Sequence, residues 1–422
     1  MKTKFIFLTL GTKGDLCPFL GLAIELKKRG YPAPLILSSE DHREFCESEG
    51  MEFEAVQTRE EHERIFNHPD IWKPLEGLKI YLRETVVGTA EKAFHAIENQ
   101  VKKQPCVLIC NNIMIGGLLA REKLKIPTAS VFLHPFSHFS LIDPPKDTSF
   151  KNILFKLVGK PGRAFLLQQR LKVLNACLLP FNDLRKKEGL KPLTDIIARW
   201  RYSVPLMLDL WPEWYCPMKP DWPKQTVRTG FVNYDGPQGK EGEWIDRFEI
   251  RAFMNESPLL FTMGSGMVQD YEAQVALFSG ACKILNRKGL MISASIKGKG
   301  VVTINENFKV IESAPFHEVF LMGAAIITHG GIGTVARALA SNKPILVAPL
   351  AFDQFDNGYH VQRLRAGLCI PFRSLTPRKL ARALDRLVSP ASGVFVKRPK
   401  DTVDGIQTTC DLIENKLVKE NR

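Results

Sequence analysis

The chain has no run of about eighteen apolar residues, the length a helix needs to cross a bilayer, so no transmembrane helix is expected. Its nine cysteines include no CxxC or CxxH spacing, and an odd count without ligand spacing argues for reduced thiols in a cytoplasmic protein and against zinc. There is no Asp-x-Asp metal motif and no sign of repeats or low complexity. No G-x-G-x-x-G follows the first apolar run, which sets aside a dinucleotide oxidoreductase. That run, residues 5–10, is six residues long and is followed at once by Gly11, Lys13 and Asp15. It is too short for a signal-peptide core and reads as a first strand.

What is present is a chain of 422 residues with 45% hydrophobic content, too long for one ordinary core and suited to two globular domains. Its 58 basic residues against 45 acidic ones leave +13, and placement matters more than size. Residues 151–205 hold twelve Lys/Arg against Asp183, Glu188 and Asp195, a net +9 interleaved with Phe155, Phe165, Leu166 and Leu167. Such a segment either lies on an anionic membrane surface or forms amphipathic helices with solvated lysines. No recognised nucleic-acid motif accompanies the charge, and no nucleic-acid partner is expected.

Apolar runs alternate with helical patterns. Strands are expected at residues 3–10, 33–37, 106–110 and 128–133, with helices at 19–29, 40–49, 81–99 and 115–124. That alternation implies right-handed crossovers and a parallel, Rossmann-like sheet. Residues 134–200 interrupt it with an aromatic loop and then basic helices. Prolines and tryptophans crowd 211–223, and the Gly-Pro-Gln-Gly at 236–239 marks a linker. The pattern restarts with strands at 259–263 and 290–294, a glycine turn at 264–266 and helices at 269–287 and 377–387. A last helix is expected at 410–418.

The most informative stretch is 328–357, THGGIGTVARALASNKPILVAPLAFDQFDN. A buried-strand run at 324–327 is broken by His329-Gly330-Gly331-Ile332-Gly333-Thr334 just before a helical pattern. Backbone N–H groups at a helix start have no intrahelical partner and carry the positive end of the dipole, so the turn can hold a phosphate without lysine or metal. Asp353, Gln354 and Asn357 follow the next strand, a carboxylate and two amides suited to sugar hydroxyls and a phosphate oxygen.

HGGIGT, the Lys-Pro turn, the strand and DQFDN resemble the nucleotide-sugar site of the GT-B inverting glycosyltransferases of family 1, the UDP-glycosyltransferase superfamily. With the Trp- and Pro-rich stretch 211–223 and TGFVNYDG after it, the likeness is to the bacterial rhamnosyltransferase and sterol glucosyltransferase branches. The resemblance implies an α/β chain with two Rossmann-like domains facing across a cleft. These are an acceptor-binding domain at 1–235 with a basic helical insertion at 150–200, a nucleotide-sugar domain at 236–405, and a C-terminal helix and tail at 406–422 returning to the first. It implies metal-independent, inverting transfer of a hexose or deoxyhexose from a UDP- or dTDP-sugar, with no cofactor beyond that co-substrate, to a hydrophobic or lipid acceptor.

Asp15 lies on the turn after the first strand, where many relatives carry histidine and these two branches carry aspartate. Asp also favours helix starts, but together with the donor motif it reads as the general base. Relatives of the histidine type orient their base with an aspartate near the place of Asn111 and Asn112, and a carboxylate base needs no such partner. Donor contacts implied by the resemblance are Gly14, Gly264, Ser265, Phe316, His329, Gly330, Gly331, Gly333, Thr334, Asp353, Gln354 and Asn357. Phe316 stands in for the usual base-stacking aromatic, and uracil and thymine both fit. His134, Phe136 and His138, in the loop after the strand at 128–133, are expected on the acceptor side, with the two histidines as secondary base candidates. Two alternatives stay open: a nucleotide-sugar-binding subunit without turnover in a membrane-associated glycolipid complex, and glycosylation of a soluble secondary metabolite. The expected location is cytoplasmic, peripheral on the inner membrane face if the basic segment meets lipid.

Overall fold

The structure is a computed structural model that describes residues 2–140, 142–146, 159–234, 236, 242–264, 270–389 and 403–419. It divides into two compact units, one of Met1–Tyr234 with Thr402–Arg422, the other of Asp235–Asp401.

The first unit is built on seven strands: β1 (Lys4–Leu8), β2 (Leu35–Ser39), β3 (Glu52–Gln57), β4 (Cys106–Asn111), β5 (Thr128–Phe132), β6 (Leu206–Asp209) and β7 (Thr226–Arg228). They are ordered 3-2-1-4-5-6-7, and every pair is parallel. The sheet is covered on both faces, so its inner strands are apolar throughout rather than alternating. Phe5 and Phe7 point to one side with helix Lys13–Lys28, and Ile6 and Leu8 point to the other with helices Ala90–Val101 and Ile115–Leu124. Each is fully buried, worth about 1.5–3 kcal/mol per side chain against exposure. Helix Gly405–Ile413 completes the Phe5 side, with Cys410 and Ile413 in its core.

The second unit repeats the plan with β8 (Leu259–Thr262), β9 (Gly289–Ile292), β10 (Val301–Asn305), β11 (Phe308–Ile311), β12 (Ala325–Thr328), β13 (Ile345–Val347) and β14 (Gly367–Cys369). The order is 10-11-9-8-12-13-14, parallel except for the β10–β11 edge hairpin. In each sheet the chain leaves the first strand in one direction and returns on its other side, so β1/β4 and β8/β12 are the switch points where an open α/β sheet takes its ligand.

Several expectations change. The pattern at 81–99 is not one helix: helix Pro74–Ile80 runs into a π-helical turn, Tyr81–Val87, and a new helix, Ala90–Val101, starts after Gly88. The first long helix begins at Lys13, well before residue 19, and carries Pro18 inside it. β3, β6, β7, β10, β11 and β14 stand where no strand is expected from the sequence. Of the basic segment, residues 151–158 lie outside the described residues, and Arg185 and Arg201 are buried. Arg185 forms a two-pronged pair with Glu122 at 2.8 and 3.0 Å. The net +9 is therefore not all available to a surface.

Candidate functional site

At the β1 switch point, Thr9, Leu10 and Gly11 lead into helix Lys13–Lys28, with Thr12 as its cap. Asp15 is the third helical residue, half-buried, and its Oδ2 accepts from the Thr12 backbone N–H at 2.8 Å and from the Thr12 hydroxyl at 3.1 Å. Asp15 thus closes a reciprocal capping box. Gly14, one position earlier, is exposed in the same turn. Sequence reasoning missed Tyr81. Its hydroxyl donates to the Leu10 carbonyl at 3.1 Å, and burial, with Asp15's charge behind it, pushes the phenol well above its usual range. The signal was weak, because a tyrosine in a helical pattern reads as packing. At the end of β4, Asn112 Oδ1 accepts from Arg201 at 2.7 Å, so the amide there has structural work of its own.

The second unit's site is built around one imidazole. His329 follows β12 directly, keeps an accessible edge, and packs closely against two glycines, Gly264 and Gly331. A Cβ on Gly264 would come within 2.5 Å of His329 Cε1, and one on Gly331 within 2.7 Å of Nε2. Loss of hydration pushes the ring down to about 4 against the raising effect of a hydrogen bond with the Thr262 backbone, so it is neutral at physiological pH. Gly330 takes φ +99, a left-handed value that lets the chain double back, and a Cβ there would meet Val347 at 2.6 Å. Gly331 then caps helix Ile332–Ala340 with no side-chain bond to its first amides. Gly333 is exposed with open space where a side chain would be, and Thr334 is buried one residue on.

The loop after β13 supports that turn rather than simply facing it. Asn357 is fully buried, and its amide donates to the Gly330 carbonyl at 2.9 Å and to Asp353 Oδ2 at 2.7 Å. Gln354, 5% exposed, accepts from the Leu350 and Ala351 N–H groups at 2.8 and 3.1 Å. In this conformation Asn357 shapes the glycine turn and the Gln354 carbonyl oxygen holds the loop. Phe352, just before them, is in the left-handed region at φ +53, a strained value for a bulky residue. Asp353 is half-buried at the head of helix Gln354–Arg363. Phe316 stacks one face on Phe320 at 4.7 Å at the start of helix Phe316–Met322. Ser265 lies outside the described residues.

After β5, His134 and Phe136 are half-buried, their rings 6.2 Å apart, and His134 bonds to Ser137 at 3.1 Å. His138 is different. It has no exposure at all, and its Nε2 pairs with Asp209 Oδ1 at 2.8 Å inside a stack of Phe132 and Trp222. The expectation that His138 touches an acceptor is corrected, because the core encloses every face of the ring. Among the described residues no group of three or more His, Cys, Asp or Glu is placed to hold a metal ion, and no helix is long and apolar enough to cross a membrane.

Two sheets, parallel apart from the β10–β11 hairpin and each opening a turn at its own switch point, form the GT-B architecture. The kitacinnamycin glycosyltransferase superposes with a TM-score of 0.72 at 19% identity over 99% of this chain and 100% of its own. Glycosyltransferase VinC in complex with dTDP gives 0.65 at 16% over 98% and 99%. Residues 5–134 match the glycosyltransferase family 28 N-terminal domain and residues 290–416 the C-terminal domain of the erythromycin biosynthesis protein CIII-like family. The chain has the GT-B fold of these glycosyltransferases. Its relatives include a UDP-sugar-dependent glycosyltransferase of Dictyostelium discoideum, 23% identical over 98% of this chain, and a sterol 3-beta-glucosyltransferase of Gibberella zeae, 25% identical over 87%. The match spans 26% of each of those longer proteins. It spans 97% of an O-mycaminosyltylonolide 6-deoxyallosyltransferase of Streptomyces fradiae, which is 22% identical over 97% of this chain.

Proposed function

We propose that the chain transfers a hexose or deoxyhexose, with inversion, from a UDP- or dTDP-sugar to a hydroxyl of a hydrophobic or lipid acceptor. The observation that carries the reading is His329, a neutral imidazole held between Gly264 and Gly331 beside the uncapped start of helix Ile332–Ala340. A diphosphate placed there receives the helix's free N–H groups and an imidazole N–H, so no metal is required of the protein to stabilise the leaving group. Asp353 faces the sugar, and Phe316, backed by Phe320, offers its other face to the nucleobase. In the first unit Asp15 takes the proton from the acceptor hydroxyl as the nucleophile forms. His134 and Phe136 line the acceptor side.

A second reading is favoured by the Asp15 geometry itself. The Oδ2 bonds to Thr12 suit a helix cap, and a nucleotide-sugar-binding subunit without turnover would keep them. The discriminating experiment measures nucleoside diphosphate release over a panel of UDP- and dTDP-sugars with lipid extracts, for the native chain and for Asp15→Asn. The enzyme reading expects release that falls about 10²- to 10⁴-fold in the variant with donor binding retained. Native-level turnover in Asp15→Asn removes Asp15 as the base, and no release with any donor leaves the binding subunit.

The membrane-surface reading is carried forward with fewer charges. Helix Lys160–Leu178 and the residue after it leave Phe165, Leu166, Val173 and Leu179 exposed, with Lys172 exposed among them and Lys186 and Lys191 exposed nearby in sequence. Apolar side chains with lysines at their edge suit an anionic interface.

A further inference from the structure

The Trp- and Pro-rich stretch has no part in the chemistry above, yet almost every polar group of the loop after β5 is tied to it or to the segment just before it. The Ser137 carbonyl accepts from Arg201 at 2.6 Å, and the Phe139 N–H donates to the Tyr202 hydroxyl at 3.4 Å. The Ser140 hydroxyl and the Ile142 N–H donate to the two oxygens of Asp221 at 2.8 and 3.3 Å. At the centre is the His138–Asp209 bond, with both residues fully buried. Asp209 ends β6, where its register neighbours are Phe132 on β5 and Arg228 on β7. Trp222 stacks on the His138 ring at 4.5 Å and Trp211 meets it edge-on at 5.9 Å.

This cluster is a poor device for stability. Among the described residues, His138 Nδ1, Asp209 Oδ2, Trp211 Nε1, Trp222 Nε1 and the Nε and Nη2 of Arg228 are all buried without a hydrogen-bond partner, although the Arg228 Nη1 pairs with Glu213. Buried polar atoms left unpaired oppose folding, and apolar side chains of the same volume would pack there without that cost. What apolar packing cannot supply is direction. A hydrogen bond between a residue of the loop and the end of β6 admits one placement, whereas a hydrophobic contact tolerates several.

We propose that the His138–Asp209 bond fixes the β5 loop in one position, and that these two are positioning residues which set the surface His134 and Phe136 present to the acceptor. The proposal rests on reading that loop as the acceptor side. His138 and Asp209 act through the loop and touch no substrate.

The test uses the full chain and two readouts. His138→Phe keeps an aromatic ring against Phe132 and Trp222 and loses the donor, while His138→Gln keeps a donor without the ring. In His138→Phe, amide hydrogen exchange at residues 134–140 rises by roughly tenfold or more, the effect of losing one buried charged hydrogen bond. KM for a sterol, a long-chain hydroxy acid and a polyphenol shifts unequally, while donor Kd and kcat at saturating acceptor hold. His138→Gln returns exchange towards the native level, and adding Asp209→Asn to His138→Phe adds nothing. Native-level exchange in His138→Phe overturns the proposal whatever the catalysis does. So does a loss of donor affinity and kcat that simply tracks melting temperature, since that is a structural role only. If the native chain transfers to none of the three acceptors, the functional reading fails for them, and exchange still decides whether the bond holds the loop.

Discussion

Gly331→Ala isolates the imidazole of the donor site. Gly331 has φ −61, so alanine adds no backbone strain, and the whole effect falls on His329. The new Cβ would stand 2.7 Å from Nε2 and 3.1 Å from Cε1, inside contact distance, so one of the two must move. The ring is hemmed in at that edge by Gly264 as well, where the space left by the missing side chain is already filled by Cε1. Displacing the ring removes one hydrogen bond to a charged diphosphate, about 1.5–3 kcal/mol, which corresponds to a roughly 10- to 150-fold weaker Kd. Overpacking also costs about 1–3 kcal/mol of stability. Calorimetry with UDP and dTDP, beside thermal melts, reads both. The control is Gly331→Ala combined with His329→Ala, which relieves the clash: stability recovers while affinity stays low. Native affinity in Gly331→Ala, or affinity regained in the double variant, refutes the assignment of His329 to the diphosphate.

Turnover is expected to survive EDTA nearly unchanged, because the helix start and His329 supply the charge stabilisation; metal-dependent turnover contradicts this. Stability should fall as pH drops from about 6.5 to about 4, since burial keeps native His329 and His42 unprotonated while the unfolded chain takes up protons, and paired carboxylates such as Glu122, held low by Arg185, carry the fall further in acid. Denaturant midpoints at three pH values check it, and a flat profile counts against the buried histidines. Binding to anionic vesicles should fall steeply with salt and weaken in a Lys172→Gln, Lys186→Gln, Lys191→Gln variant, as each lysine near the surface contributes about 1 kcal/mol. Equal partitioning onto neutral vesicles removes the electrostatic reading.

The strands that line both switch points were legible because burial on both faces leaves an unbroken apolar run, as in KFIFL and CVLICN. Edge strands carry no such mark. β3 is mostly half-exposed and reads EFEAVQ, and β10 has an exposed end, so neither stands out from loop. The glycine turn was legible as a turn, but the duties of its neighbours were not. Asn357 is committed to a carbonyl 27 residues away, and His138 to a carboxylate 71 residues away. Local spacing shows that a polar side chain is present and is silent on which distant group claims it. The charge count of the basic segment failed for the same reason, with Arg185 and Arg201 drawn inside by Glu122 and Asn112.

The return of helix Gly405–Ile413 sets an order on synthesis. Arg29 reaches Asp411 at 2.6 Å and Gln407 at 2.5 Å, and Cys410, Ile413, Leu417 and Val418 fill the side of the first sheet that holds Phe5 and Phe7. Of the two units, the one synthesised first is therefore not the first to be finished. Helix Lys13–Lys28 covers part of that side, but the rest of its hydrophobic layer stays open until residues 405–419 emerge, by which time every strand of the second sheet has been available to pair. The later unit is free to mature first, and the earlier one waits for helix Gly405–Ile413.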